Sequence, residues 1–94
     1  MARTKRHNEP SAQQLVERHI DQEVDRYAGG RADARLRDSG VSVWAIVMFL
    51  RVYDNDRRKV AEHFDISPEE VEGALAYYQL NKPYIDARIT LNEA

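Results

Sequence analysis

The chain has 94 residues, 43% apolar and 32% charged, with a formal net charge of -2. That bounds it to one domain, with a core thin enough that dimerisation would help stability. Cysteine is absent, which excludes disulfides, thiolate metal sites and cysteine nucleophiles, and the near-balanced charge is not that of a strong non-specific nucleic-acid binder. No apolar run approaches the roughly 20 residues of a membrane span, because Val43 to Leu50 stops at Arg51. The start lacks the apolar stretch of a secretory signal, so a cytoplasmic setting is expected.

Residues 1–10 read as a flexible basic arm carrying Arg3, Lys5 and Arg6. Nothing in it can be buried, and its candidate role is phosphate contact. Residues 11–94 then read as one helical domain. Ser11 to Ala28 is the first expected helix, opened by a capping box of Ser11 with Gln14. Leu15, Val16, Ile20, Val24 and Tyr27 recur on one face. Gly29-Gly30 supplies its stop. Arg31 to Ser42 is a charged connection broken at Gly40, and Ser42 is a sound cap for the next helix.

Val43 to Tyr53 is the most apolar segment. It is helical by length and is expected to be buried on most sides, inside the fold or at a dimer interface. Asp54-Asn55-Asp56 is a polar turn, with Asp56 capping the helix after it. Arg57 to Phe64 is a two-turn helix with Val60, Ala61 and Phe64 inward. Asp65-Ile66-Ser67 is a tight turn. Ser67 and Glu70 then form a second capping box around Pro68 at the first helical position. Val71, Ala74, Leu75 and Tyr78 are the inner face, Tyr77 points to the side, and Gly73 marks a close helix approach. The helix ends or kinks near Asn81 ahead of Pro83. Tyr84, Ile85, Ile89 and Leu91 carry the apolar pattern of a tail helix.

The core at 43–81 therefore has the spacing of a helix-turn-helix. Ala61 is the small residue at the crossing, Ile66 plugs the turn, and Asp65 tolerates left-handed backbone there. The expected fold is all-α: a small three-helix, homeodomain-like unit with an added N-terminal helix and a C-terminal tail helix. As a DNA reader it is poorly charged. The groove-facing positions are Glu69, Glu70, Glu72 and Gly73, and carboxylates repel phosphate. The positive charge sits on Arg57, Arg58 and Lys59, which become the candidate phosphate contacts together with the arm.

Signals for catalysis are poor. His7, His19 and His63 lack metal-ligand spacing, and no nucleophile motif, phosphate loop or dinucleotide fingerprint is present. His19 and Glu23, four apart, read as a surface ion pair. Asp54-Asn55-Asp56 lacks the glycine and distal glutamate of a calcium loop. A non-enzymatic protein with no cofactor and no metal is expected. Tyr77, Tyr84, Ile89 and Leu91 are the candidate protein-contact residues, tyrosine being enriched at interfaces.

Several segments resemble a known bacterial family. They are Val43-Trp44-Ala45-Ile46-Val47, Val60-Ala61-Glu62-His63-Phe64, Glu70 to Tyr78 with its Ala74-Leu75-Ala76-Tyr77-Tyr78 ending, and Ile85-Asp86-Ala87-Arg88-Ile89. In order and spacing they look like the domain of unknown function 433, which is similar to antitoxins of the VapB kind. The resemblance covers about Arg35 to Ile89. It implies a small helix-turn-helix protein, a homodimer, paired with a PIN-like ribonuclease toxin, with operator DNA as a further ligand. The chain departs from the family's pattern in three places. Asp38-Ser39-Gly40 and Ser42 stand where the family has Gly-Thr-Arg and a proline. Ser11 to Ala28 reads as a helix where the family has a short hairpin. Pro83 interrupts a segment that is usually continuous helix. The expected function is thus an antitoxin-like protein that binds a toxin partner and operator DNA; the alternative is a dimeric interaction or scaffold module without DNA binding.

Overall fold

The structure, a computed structural model, describes residues 9–93. The arm residues Arg3, Lys5 and Arg6 lie outside the described residues. Five α-helices and one two-stranded sheet order as α1 (Ala12–His19), β1 (Ile20–Asp21), β2 (Arg35–Leu36), α2 (Val43–Val52), α3 (Arg57–Phe64), α4 (Pro68–Leu80) and α5 (Lys82–Glu93). The fold is all-α in class, with the sheet a small clasp beside the helices.

The helix ends follow local chemistry. Ser11 Oγ accepts from Gln14 N at 3.1 Å, and Gln14 Oε1 accepts from Ser11 N at 2.8 Å. The same reciprocal pair links Ser67 and Glu70 at 3.1 and 2.8 Å. Asp56 accepts from Lys59 N at 3.1 Å. Each cap satisfies an amide that would otherwise lack a partner, and each such cap contributes about 1 kcal/mol. Ser42 stands at the N-cap position of α2, but its side chain makes no capping bond; its backbone instead bridges to Arg35. Asp65 adopts the left-handed conformation, φ 56° and ψ 50°, that turns α3 into α4.

The first expected helix is shorter than its periodicity suggests. α1 stops at His19, and Ile20 is extended at φ -105° and ψ 131°. Ile20 pairs with Leu36 and Asp21 with Arg35, antiparallel. The Asp21 carboxylate then accepts from Glu23 N at 3.0 Å and from the Tyr27 hydroxyl at 2.7 Å. These bonds span the short 3-10 turn at Val24–Arg26, and Gly29 N donates to Asp33 Oδ2 at 3.0 Å across the next one, at Gly30–Asp33. Ile20 satisfies a helical stripe and a buried strand equally well, and its pairing with Leu36 decides between them. Gly29-Gly30 therefore ends no helix. A short antiparallel pair stands where a helix was expected.

One core joins all these pieces. Ile46, Val60, Val71, Ala74 and Ile85 are fully enclosed, as are Ile20 and Leu36 from the clasp. Val16 of α1 and Ile89 of α5 close its two sides. α2 is less enclosed than its composition suggests. Val43, Ile46, Val47 and Leu50 are buried, whereas Trp44, Met48 and Phe49 are half-buried and Val52 is 66% exposed. Arg88 covers Trp44, its guanidinium carbon 4.4 Å from a ring centroid, and this replaces an apolar partner there. α4 ends at Asn81, whose side-chain amide donates to Tyr77 O at 3.0 Å. Pro83 sits in the first turn of α5, where its missing N–H costs nothing.

Candidate interaction surface

Three surfaces hold the residues singled out by the sequence: the start of α4, the basic start of α3, and the outer face of α5. Each is set by which neighbour covers it.

The start of α4 is where a helix-turn-helix protein would read a groove. Here α1 lies against it. Glu69 Oε2 is 2.5 Å from His19 Nε2 and 3.2 Å from Arg18 Nη1. Those hydrogen bonds, from His19 first and Arg18 second, hold the Glu69 carboxyl below the usual glutamate value. His19 is therefore the partner of Glu69 rather than of Glu23, whose carboxylate meets Arg26. Gly73 is buried, and a Cβ built on it would stand 3.0 Å from His19 Cβ. The glycine is thus what lets α1 approach α4 so closely. Ala76 is also buried on this helix. Two of the four groove-facing positions, Glu69 and Gly73, are accordingly engaged by α1 within the same chain.

The three cations of α3 do not share one environment. Arg57 Nε meets Glu72 Oε2 at 2.7 Å, across the two helices. Arg58 and Lys59 are exposed and make no ion pair among the described residues. The candidate phosphate contacts brought together on a free surface are thus Arg58 and Lys59, while Arg57 is occupied by a carboxylate.

The four candidate protein-contact residues also separate. Tyr77 is 6% exposed, and its hydroxyl donates to Arg31 O at 2.9 Å. Burial pushes its phenol pKa up. Tyr78, expected inward, is half-buried; its hydroxyl donates to Asp86 Oδ1 at 2.7 Å, which Arg51 also reaches at 3.1 Å. Burial and then the bond to Asp86 raise its pKa. Tyr78 still packs against the core as its periodicity suggests, but Tyr77, expected to the side, is the more deeply buried of the two. The physical reason is that the Tyr77 hydroxyl finds a partner in the Arg31 carbonyl of the 3-10 turn at Gly30–Asp33, while the Tyr78 hydroxyl finds one in Asp86 of α5. Ile89 is 1% exposed and belongs to the core. Neither Tyr77 nor Ile89 is available to a partner on this surface.

Tyr84 and Leu91 are available, 48% and 71% exposed. They lie seven residues apart on α5, with exposed Ala87 between them, and so share one helical stripe. Arg31 stands over the Tyr84 ring at 5.2 Å. Beneath the stripe, Ile85 and Ile89 anchor the helix, and Arg88 Nε meets Asp33 Oδ1 at 3.2 Å. α5 thus presents an exposed tyrosine and leucine on one stripe of a helix anchored from beneath.

Among the described residues no group of three His, Cys, Asp or Glu is placed to hold a metal ion. No described helix is long and apolar enough to cross a membrane. The concavity of about 360 Å³ between Asp21, Gln22, Glu23, Arg26 and Arg37 is open and polar. Arg26 meets both Asp21 and Glu23 there, and Arg37 Nε donates to the Glu17 carbonyl at 3.2 Å. Comparison with protein-family models, with curated proteins and with solved structures finds no match to this chain.

Proposed function

We propose that the chain is a small non-enzymatic, antitoxin-like protein that binds a PIN-like ribonuclease partner through the outer face of α5. The observation that carries this reading is the Tyr84–Ala87–Leu91 stripe, exposed on a helix whose other side is locked by Ile85 and Ile89. Its resemblance to the domain of unknown function 433 supplies the class of partner. The reading puts the partner on a surface that the fold leaves free.

The reading predicts a nuclease-like protein encoded beside this chain, and copurification with that protein tests it. Tyr84→Ala with Leu91→Asp is expected to weaken that complex by about 2 kcal/mol or more, roughly thirtyfold. The free protein's thermal midpoint should change far less than on truncating Ile85 or Ile89, because Leu91 is mostly exposed and Tyr84 about half so. Undiminished binding by the double variant would refute the α5 assignment. Removing the tail helix outright is a poor test, since Ile85 and Ile89 belong to the core.

A second reading, operator binding, is supported by Arg58 and Lys59, which carry no ion pair among the described residues. It predicts a mobility shift with upstream duplex DNA that weakens steeply with salt. The acidic first turn of α4, with Glu69 engaged by α1, limits such binding to phosphate contact of low specificity.

A further inference from the structure

α1 is held unevenly along its length. Its first half lies beside an open groove of about 290 Å³, lined by Ala12 and Leu15 on one side and by Glu72, Leu75 and Gln79 of α4 on the other. Val16, in its middle, is its buried residue. Its last turn is the closest contact, where His19 Cβ would stand 3.0 Å from a Cβ built on Gly73. A helix of 8 residues is not stable alone in water. Whether α1 stays formed therefore depends on its docking, and its docking leans on that last turn.

The last turn carries a titratable pair. His19 Nε2 lies 2.5 Å from Glu69 Oε2, with the His19 side chain 18% exposed, and Arg18 Nη1 reaches the same oxygen at 3.2 Å. From the segment after β2, Arg37 N donates to His19 O at 2.8 Å and Arg37 Nε to Glu17 O at 3.2 Å. Glu23, four residues on from His19, is taken by Arg26. Glu69 is thus the carboxylate ion-paired with His19 among the described residues, and Arg18 and Arg37 are the cations beside it. Histidine changes charge between about pH 5 and pH 8. Charged, the ring attracts the Glu69 carboxylate. Neutral, it still donates Nε2–H in one tautomer, but the charge attraction is gone and Arg18 alone supplies it. Ile20, the next residue, is fixed by its pairing with Leu36, so α1 has a pivot where it joins the clasp.

We propose that His19 is a proton-dependent latch: its charged ring holds α1 down on the start of α4, and as the ring loses its proton α1 lifts more often about Ile20, uncovering Gly73 and Ala76. The stabilisation from a charged base is present at low pH and is lost as pH rises through the base's own value. Glu69 is partly solvated and Arg18 keeps its charge throughout, so the latch shifts the open population by about two- to fivefold rather than switching it fully. The device lies on α1 and α4 and is independent of the α5 stripe.

Native-state amide exchange of the full chain, followed by NMR at about pH 6 and about pH 8 and corrected for intrinsic exchange rates, tests the proposal. A lifted α1 melts, so its amides report the opening. In wild type, protection of the Glu17, Arg18 and Ile20 amides is expected to fall by about two- to fivefold at the higher pH, while Ile85 and Ile89 in α5 keep theirs. His19→Gln and Glu69→Gln should each remove that pH dependence. Glu69 is on the surface, so Glu69→Gln carries the test even if His19→Gln disturbs the fold. Equal protection of wild-type α1 at the two pH values overturns the latch, as does a pH dependence that survives in Glu69→Gln. A loss shared equally by α1 and α5 overturns it too, because the effect then belongs to global unfolding.

Discussion

α1 and α5 are both short helices laid against the helix-turn-helix core, and they are used in opposite ways. α1 buries Val16, seats His19 on Gly73, and ties Arg18 and His19 to Glu69. The side it leaves exposed carries Ala12, Gln13, Gln14, Glu17 and Arg18, with no large apolar side chain among them. α5 buries Ile85 and Ile89 and holds Arg88 between Asp33 and Trp44, yet leaves Tyr84 and Leu91 bare. Both helices help close the core, and of the two only α5 turns large apolar side chains outward. The distinction also bears on the second helix of the motif, because the element that covers the start of α4 comes from this same chain.

The sharpest way to break this comparison is to truncate the two faces of α5 separately. Ile89→Ala is expected to cost about 2–5 kcal/mol in chemical denaturation, the loss of a buried side chain plus a cavity. Leu91→Ala, two residues on, should stay within about 0.5 kcal/mol of wild type. Equal costs would mean that α5 has no distinct inner and outer face.

A smaller effect is expected at the α1 contact. Gly73→Val places branched carbon where His19 Cβ already stands at 3.0 Å, and overpacking of this kind costs about 1–3 kcal/mol. Amide exchange should locate the loss in α1 and leave α5 protected. Uniform loss over both helices would mean that α1 is not separately docked.

The smallest effect concerns the polar end of the α1 contact and its pH dependence. The Glu69 carboxyl is held below its ordinary value of 4.5 by His19 and Arg18. A depressed carboxyl stabilises the fold above its unfolded value, and that gain is lost as pH falls through the folded value. Glu69→Gln should therefore lower the thermal midpoint slightly near neutral pH. The gap between the two proteins should close as the pH is taken well below 4.5. A gap that persists unchanged in acid would show that packing, not charge, makes the contact.

Much of the core was legible from particular residues. The capping boxes at Ser11 and Ser67, the Asp56 cap, the left-handed Asp65 and the break at Asn81 all depend on atoms within a few residues. So does the inward set Val60, Ala61, Val71 and Ala74. Gly73 was legible as a close approach, though not which helix approaches. The candidate surface was less legible. Tyr77 and Tyr78 differ by one position, and a periodic pattern cannot say which of them will find a distant hydrogen-bond partner such as the Arg31 carbonyl. Ile89 looks like a surface anchor until Ile85 beside it fixes the same face inward.

Local chemistry thus determined where α3 and α4 begin and end, because hydrogen bonds and backbone preferences at helix ends act over a single turn. Their order and charge also made the start of α4 acidic before any fold was considered. What only the tertiary structure decided is how that start is used. Ile20 became a strand residue because Leu36, sixteen positions away, offered it a partner. α1 ended there, turned its His19 onto Gly73, and engaged the face that the motif alone left open. Such choices rest on contacts between residues far apart in the chain, and a stripe of apolar residues read in sequence carries no address for its partner.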